Sequence, residues 1–362
     1  MPEFDFEVRI KAGQALMDRQ GVDGMLLSVG ADLPYFTGYQ AMPLERLTML
    51  VLRADSGPTL VVPQLEAPRV APGPFTMRPW AETEDAVAIV ADLCEGLEAI
   101  AIGDQTWSVF LLQLQDRLRR AEFRPASPIT RALRERKDPL EIEYLRRAAA
   151  GADRVAARLA DQRFSGQTEL QMAHLVTQMT LEEDHDQASF WIVASGPNSA
   201  SPHHEPTHRT IQHGDMAVVD FGGKHRGYSS DCTRTFSVGA AGSQQAEVHE
   251  VVRVAQQAAT AAVVPGVTAE QIDRVARRII TDAGYGEYFI HRTGHGIGLE
   301  GHEHPYLVEG NGETLEPGMC FSIEPGIYLP DRFGVRIEDI VAVTDDGVES
   351  LNRADRGLLI VA

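Results

Sequence analysis

Four carboxylates in the second half of the chain lie within or at the ends of short apolar runs. Asp220 ends the run MAVVD, Asp231 begins the next strand-like segment, Glu324 ends CFSIE, and Glu338 lies between apolar neighbours in VRIEDIVAV. Burying an unpaired carboxylate is costly, so each one alone could form a salt bridge or end a strand at a turn. Four such positions together favour a bound cation, which would neutralise several carboxylates at once.

A histidine-rich segment, HRTGHGIGLEGHEHP, can complete such a cation site. It contains His291, His295, His302 and His304, in a chain with twelve histidines. One imidazole together with four carboxylates suits Mn²⁺, Co²⁺ or Zn²⁺. The glycines of the segment would let the backbone pass close to the site.

The same segment contains GIGLEG, which matches the G-x-G-x-x-G pattern of dinucleotide-binding loops. That pattern requires a strand before it and a helix after it. Pro305 follows too closely for such a helix, so we reject the nucleotide interpretation. We expect His304, next to Pro305, to point to solvent. Three further histidines are expected on the surface or in loops: His204, His208 and His213.

The elements that must position these residues fall into two regions. The first third of the chain alternates helix-like runs, such as EVRIKAGQALMDRQ, with strand-like runs, such as GMLLSV and AIAIGD. This alternation predicts an α/β domain. Asp138 and Pro139 then fit the cap and first position of a helix, so a second domain is expected to start near residue 133. Its later runs predict helices combined with an antiparallel sheet.

The second region carries a faint internal repeat. GQTELQMAHLV begins at Gly166 and GVTAEQIDRVA begins at Gly266, an offset of 100 residues. Both segments place a capping box at the start of a helix. Such caps can recur by chance, or they can mark two related half-domains, each a helix pair against part of one sheet. A cleft between two such halves would be a natural ligand site.

Length, charge and cysteine content narrow the class of protein. The 362 residues favour two domains, and the net charge of −19 argues against nucleic acid and anionic membranes as partners. The N-terminus, MPEFDFEVRI, does not resemble a secretory signal. Cys94, Cys232 and Cys320 are too far apart for a metal knuckle and predict reduced thiols in a cytoplasm.

The ordered set of five potential ligands resembles the metal-binding series of the M24 metallopeptidases, the pita-bread family. The eleven-residue gap between the two aspartates and the motifs HRTGHGIGL, SIEPG and RIED carry this resemblance. RERKDPLEIEYLRRA is similar to the start of the family's catalytic domain. The resemblance implies a creatinase-type N-terminal α/β domain at 1–126. It also implies an α+β pita-bread catalytic domain at 133–362 with a pseudo-twofold internal repeat.

The resemblance further implies a role for each ligand. Asp220 would bind one metal ion, His295 would bind the second, and Asp231 and Glu338 would bridge both. Glu324 would bind metal and serve as the catalytic base that carries the proton.

Other residues would act around the metals. The resemblance assigns His203, His291 and His302 to the catalytic cleft, and an imidazole donor such as His302 would stabilise the developing oxyanion. Arg336 would orient a ligand carboxylate.

Within the family, the two-domain layout and the length look like Xaa-Pro dipeptidase (prolidase) and aminopeptidase P. We therefore expect a cytoplasmic, homodimeric metallopeptidase that hydrolyses the Xaa-Pro bond, foremost in dipeptides, with two divalent metal ions. Mn²⁺ is the favoured ion, and Co²⁺ or Zn²⁺ are the alternatives. The alternative functions are an aminopeptidase P for longer X-Pro-Y peptides, a non-peptide C–N hydrolase similar to creatinase, and an inactive binding module.

One position departs from the family pattern. Many prolidases carry an arginine after H-E-x-P that helps to bind the proline carboxylate, whereas this chain has Tyr306 there. Arg46, in PLERLTML of the N-terminal domain, is a candidate substitute for substrate binding; the alternative is a solvated surface arginine.

Overall fold

In a computed structural model, which describes residues 4–362, the chain divides into two units. One unit ends at Arg134 and the other spans Glu135–Ala362. Within the described residues, no helix combines the length and the apolar character that a membrane span requires.

The first unit is built from the alternating runs seen in the sequence. Its elements in chain order are α1 (Phe6–Gln20), β1 (Gly24–Leu27), α2 (Asp32–Thr37), β2 (Met49–Arg53), β3 (Thr59–Pro63), β4 (Thr76–Trp80), α3 (Ala86–Leu93), β5 (Ala99–Ile102), α4 (Ser108–Arg117), β6 (Glu122–Pro125) and α5 (Ser127–Arg134).

The six strands of this unit form one sheet in the order β4-β3-β2-β1-β5-β6. β1 pairs in parallel with β5 and antiparallel with β2, so the sheet is mixed. The apolar runs of β1 and β5 are buried along their whole length, as expected for central strands covered by helices. Leu26 and Ile100 pack there with Val90 of α3 in one core.

The second unit combines four long helices with short strands. Its elements are α6 (Pro139–Ala160), α7 (Glu169–Glu182), β7 (Gln187–Ser195), β8 (Met216–His225), β9 (Tyr228–Ser229), β10 (Cys232–Val238), α8 (Ser243–Ala261), α9 (Ala269–Asp282), β11 (Gly294–Gly296), β12 (Glu303–Leu307), β13 (Cys320–Ile323), β14 (Gly326–Leu329), β15 (Phe333–Arg336), β16 (Asp339–Val343), β17 (Val348–Ser350) and β18 (Leu359–Val361).

These elements form two halves of similar construction. In the first half, α6 and α7 pack on the sheet β18-β10-β8-β7, with β9 paired to β8. In the second half, α8 and α9 pack on strands of the sheet β12-β11-β13-β16-β17 and of the hairpin β14-β15. Each half has its own apolar core, one around Val219 and Phe236 and the other around Phe321 and Val341.

The two halves repeat the same local geometry 100 residues apart. Thr168 is the N-cap of α7 and Thr268 is the N-cap of α9, and in both the cap N–H donates to a glutamine side chain at 2.8 Å. Thr168 also forms an isolated β-bridge with Thr210, and Thr268 forms one with Thr314. The predicted internal repeat is therefore structural and not a chance recurrence of helix caps.

Buried polar contacts join the halves. An isolated β-bridge pairs Thr233 of the first half with Glu338 of the second. Beside it, the buried guanidinium of Arg234 forms an ion pair with Asp339 at 2.8 Å. Acidic residues of one half are thereby held against strands of the other.

Candidate active site

Two of the predicted metal ligands come from the first half of the second unit. Asp220 lies in β8 and Asp231 directly precedes β10, and antiparallel pairing of these strands sets Asp220 opposite Thr233. Asp220 is 7% exposed and Asp231 is 3% exposed. The strand pairing thus places two buried acids in the same part of one sheet.

The other three predicted ligands come from the second half. His295 lies in β11, Glu324 follows β13 and Glu338 precedes β16. These side chains come close together because β13 pairs with β11 on one side and with β16 on the other. The close packing of β11 requires glycine, because a Cβ added at Gly294 would lie 1.9 Å from the carbonyl oxygen of Ser322. The glycines of this segment therefore allow the close backbone approach that was expected of them.

The fold brings all five predicted ligands together. Nε2 of His295 lies 3.3 Å from Oε1 of Glu324 and 3.6 Å from Oδ2 of Asp231. Potential ligand atoms lie within 4.8 Å of one another in three groups, namely Asp220–Asp231–Glu338, His295–Glu324–Glu338 and Asp231–His295–His302. Glu338 belongs to the first two groups, so it lies between two potential cation positions.

The chemistry of this cluster fits divalent cations. Oδ1 of Asp220 is buried and has no hydrogen-bond partner among the described residues, a cost that a bound cation would remove. Nδ1 of His295 lies 3.1 Å from the carbonyl oxygen of Gly296, which only accepts, so Nδ1 carries the proton. Burial lowers the pKa of His295 to about 3, and the lone pair of Nε2 therefore faces the carboxylates.

Burial also raises the pKa of three carboxyl groups in the cluster. The pKa of Glu324 rises from 4.5 to about 7, because desolvation outweighs the opposing charge of Arg336 and the charge of Asp220 adds to it. The pKa values of Asp231 and Glu338 are also raised, first by burial and then by the neighbouring carboxylates. A bound cation would reverse these shifts by stabilising the ionised forms.

Arg336 holds two of the carboxylates in place. Its Nη2 donates to Oδ2 of Asp220 at 2.7 Å, and its Nε donates to the hydroxyl of Thr233 at 3.1 Å. That hydroxyl in turn donates to Oε2 of Glu338 at 2.7 Å. Arg336 therefore makes the contact with a ligand carboxylate that its predicted role requires.

Tyr328 links Arg336 to His291. Nη1 of Arg336 donates to the Tyr328 hydroxyl at 2.8 Å, and the hydroxyl donates to Nε2 of His291 at 2.8 Å. Nδ1 of His291 donates to the carbonyl oxygen of Arg292 at 2.7 Å. Burial lowers the pKa of His291 to about 4, so the ring is neutral with both nitrogens engaged. This arrangement favours a positioning role over proton transfer for His291.

The other two predicted cleft histidines lie on the exposed side of the cluster. The ring of His302 stacks on that of His295 with their centroids 3.7 Å apart, and burial lowers the pKa of His302. His203 is exposed in the loop after β7 and lines the same cavity as His302. Both can therefore meet a ligand that enters the cavity.

The cavity beside the cluster has a volume of about 300 Å³ and one apolar wall. That wall consists of Phe190, Ile192 and Pro202. Phe190 and Ile192 are two residues apart in β7 and share a face of the strand. Sequence analysis missed these residues, together with Tyr328 and Arg292, although Arg292 lies within the HRTGH motif itself.

One of the expectations for isolated histidines is wrong. His204 lies in a loop, as expected, and its Nε2 lies 3.0 Å from the buried carboxylate of Glu169. His304 does not point simply to solvent, because its half-buried ring lies 4.6 Å from the ring of Tyr306. His208 and His213 are exposed, as expected.

Glu169, at the start of α7, anchors the loop that carries His203. Its fully buried carboxylate accepts hydrogen bonds from both ends of this loop, including the N–H of Ser195 at 2.9 Å and the N–H of Thr207 at 3.1 Å. Asn198 and His204 contact the same carboxylate from within the loop. Glu169 therefore determines where the loop lies against the cavity.

The two weaker candidates for substrate binding lie in different units. Arg46 belongs to the first unit, where its guanidinium pairs with Glu45 at 2.6 Å and with Glu82 at 2.7 Å. Tyr306 belongs to β12 and lies opposite His295 of β11. The guanidinium carbon of Arg292 lies 4.2 Å from the centroid of the Tyr306 ring.

Comparison with known proteins places the chain among metallopeptidases. The family model of Metallopeptidase family M24 matches residues 143–345, and that of the Creatinase/Prolidase N-terminal domain matches residues 9–136. The probable dipeptidase PepE of Mycobacterium tuberculosis is 42% identical over 99% of this chain and 98% of its own length. The Xaa-Pro dipeptidase of Lactobacillus helveticus is 40% identical over 91% of this chain and 92% of its own length.

A solved structure gives the same result. The recombinant prolidase from Thermococcus sibiricus superimposes with a TM-score of 0.96 at 39% identity, covering 99% of this chain and 100% of that one. These matches and the observed sheets confirm the predicted fold class, a creatinase-type α/β domain followed by an α+β pita-bread domain with an internal repeat.

In the metal-free protein, we expect Glu324→Gln to raise the melting temperature at about pH 8 and to leave it unchanged near pH 4.5. The folded-state pKa of about 7 exceeds the ordinary 4.5, so the unfolded chain loses this proton first as the pH rises. The cost to the folded state begins near pH 4.5 and is complete above pH 7, at up to about 3 kcal/mol.

Thermal unfolding of chelated protein at the two pH values measures this effect. Glu287→Gln, which removes an exposed carboxylate of the same unit, is the matched control. An equal difference in melting temperature at both pH values would contradict the assignment of the shift to Glu324.

Replacing Glu169 with glutamine should loosen the loop between β7 and β8. The amide cannot accept from all the donors that surround this carboxylate, and each buried donor left unpaired costs roughly 1–3 kcal/mol. Hydrogen exchange should therefore become faster at residues 195–207, and the melting temperature should fall. Glu182→Gln, on the exposed end of the same helix, should change neither. Unchanged exchange in the Glu169 variant would show that the loop is held by other contacts.

Proposed function

The chain belongs to metallopeptidase family M24, and on this premise we propose that it hydrolyses the Xaa-Pro peptide bond of dipeptides with two divalent metal ions. The observation that carries the proposal is the convergence of four carboxylates and one imidazole beside a single cavity. M24 enzymes depend on a dinuclear metal centre, and these side chains supply donors for two ions.

The assignment of ligands follows the two groups that share Glu338. We assign Asp220 and Asp231 to one ion and His295 and Glu324 to the other, with Glu338 between them. Asp231 also faces His295 at 3.6 Å, which supports its role as a second bridge. When bound, the two ions would lower the pKa of the attacking water and polarise the scissile carbonyl.

Glu324 is the proposed proton carrier. Its carboxylate lines the cavity, and the hydroxyl of Ser322 donates to Oε1 at 3.2 Å and orients it. The carboxylate takes a proton from the attacking water and delivers it to the leaving nitrogen. In an Xaa-Pro bond this nitrogen carries no hydrogen, so it must receive a proton before proline can leave as a secondary amine.

The histidines act on the substrate side of the centre. His302, stacked on His295, donates to the oxygen that develops negative charge during attack. His203 contacts the substrate from the loop that Glu169 anchors, and His291 holds the cavity wall through Tyr328. The apolar wall formed by Phe190 and Ile192 is suited to the pyrrolidine ring of proline.

The proposal also includes the identity of the metal ion, the location of the enzyme in the cell and its oligomeric state. Mn²⁺ is the proposed native ion because oxygen donors outnumber nitrogen in the cluster, and Co²⁺ or Zn²⁺ are the alternatives. A cytoplasmic location agrees with three cysteines that are free and buried, namely Cys94, Cys232 and Cys320. Assembly as a homodimer rests on the family resemblance.

Hydrolysis of Ala-Pro and of Ala-Pro-Ala tests the function directly. We expect chelated enzyme to be inactive, and added Mn²⁺ to restore proline release from the dipeptide with little release of alanine from the tripeptide. Metal content measured by mass spectrometry should reach two ions per chain in the active sample. Asp231→Asn should lose both metal and activity, whereas Asp345→Asn, at an exposed turn, should lose neither.

Preference for the tripeptide would instead assign the chain to the aminopeptidase P activity. Metal-loaded enzyme that cleaves neither peptide would contradict peptidase function and favour a non-peptide C–N hydrolase or a binding module.

A further inference from the structure

We propose that Arg292, held against the ring of Tyr306, binds the C-terminal carboxylate of the dipeptide and so determines the preference for dipeptides over longer peptides. This inference rests on the proposed Xaa-Pro hydrolysis and names the residue that recognises the far end of the substrate. Tyr306 is the positioning residue for Arg292.

A dipeptide brings a free carboxylate into a cavity that is already rich in negative charge, so a cation must meet it. Among the described residues that line the cavity, the basic side chains other than histidine are Arg292 and Arg336. Arg336 is 2% exposed, and its donors are directed at Asp220, Thr233, Tyr328 and the carbonyl oxygen of Pro202. The donors of Arg336 are therefore already used within the protein, and Arg292 is the arginine that can bind a substrate.

Arg292 has the contacts that such a role requires. Within residues 4–362, its guanidinium forms no ion pair and no hydrogen bond with the protein, yet the residue is partly buried. The guanidinium carbon lies 4.2 Å from the centroid of the Tyr306 ring. A cation–π contact of this kind does not use the N–H donors that point away from the ring, so these donors can bind a carboxylate.

Neighbouring groups hold both Arg292 and Tyr306 in place. The backbone of Arg292 is held by His291, whose Nδ1 donates to the Arg292 carbonyl oxygen at 2.7 Å. Tyr306 pairs with His295 across β11 and β12, and the ring of His304 packs 4.6 Å from the Tyr306 ring. The guanidinium is therefore oriented before substrate binds, which reduces the entropy lost on binding.

This arrangement also accounts for the tyrosine that departs from the family pattern. An arginine at position 306 would place the cation on β12 itself. Here β12 supplies an aromatic surface, and the cation comes from Arg292 in the segment before β11. Arg46 is the rival for the same role, but two carboxylates of its own unit, Glu45 and Glu82, already neutralise its guanidinium.

The test compares Ala-Pro with Ala-Pro-NH₂, which has the same size but no terminal charge. With Mn²⁺-loaded enzyme, Arg292→Gln should raise KM for Ala-Pro roughly 10- to 100-fold, the range expected for loss of a charge-assisted hydrogen bond. KM for Ala-Pro-NH₂ should stay within about twofold of wild type, and kcat should change little for either substrate. Inhibition by free proline should weaken in parallel, while inhibition by prolinamide should not.

Variants at Tyr306 separate the effect of its aromatic ring from the effect of the charge on Arg292. Tyr306→Phe keeps the ring and should retain the wild-type ratio of KM for Ala-Pro-NH₂ to KM for Ala-Pro, whereas Tyr306→Leu should raise KM for Ala-Pro selectively but less than Arg292→Gln. Arg147→Gln removes an exposed arginine of α6 and is the matched control that should alter no parameter. Melting temperature and metal content must match wild type in every variant before the kinetics are compared.

Several outcomes would overturn the inference. If Arg292→Gln raised KM equally for Ala-Pro and for Ala-Pro-NH₂, the variant would have damaged the cavity in general, and Arg292 would not recognise the charge of the carboxylate. A selective effect of Arg46→Ala with none from Arg292→Gln would assign the carboxylate to Arg46. Wild-type enzyme that cleaves neither Xaa-Pro substrate would remove the proposed function itself, whereas cleavage that is indifferent to Arg292 would remove this inference alone.

Discussion

Crowding of buried carboxylates is the constraint on which the second unit depends. Asp231 and Glu338 are almost fully buried, and burial together with their mutual repulsion disfavours their ionised forms. Arg336 offsets part of this cost by pairing with Asp220 and by reaching Glu338 through Thr233. The negative charge that Arg336 does not offset favours the binding of divalent cations. Because the folded unit provides the site, metal binding would also stabilise the folded state of this unit.

The internal repeat explains how so many acids come to share one site. The first half supplies Asp220 and Asp231, and the second half supplies His295, Glu324 and Glu338. A half-domain alone would present too few donors for two ions. Each half also uses a buried acid to hold the segment it places at the cavity. Glu169 anchors the loop after β7, and Asp273 accepts from the backbone and hydroxyl of Thr293 in the HRTGH segment.

Local sequence patterns indicated the buried carboxylates that the fold brings together, but they did not indicate the walls of the cavity. A charged residue in an apolar run, such as Glu338 in VRIEDIVAV, signals a special environment without any knowledge of the fold. The roles of Tyr328 and Arg292 depend instead on which strands become neighbours, because their partners lie far away in sequence. His304 was misjudged for the same reason, and the contact of His204 with Glu169 was missed, since these partners can be identified only once the strands and loops are packed. The α/β character of the first unit and the mixture of helices and sheet in the second could be predicted because alternating runs and helix caps are local signals, whereas the pita-bread assignment rested on the family resemblance.

The edge strand β18 affects the order in which this enzyme folds during its synthesis. It pairs in parallel with β10, so Leu359 lies beside Phe236 although the whole second half separates them in the chain. The sheet that carries Asp220 and Asp231 therefore stays incomplete while the ribosome is still synthesising the second half. The first half cannot be finished as an independent folding step, and the cluster of carboxylates is assembled only after β18 has docked on β10.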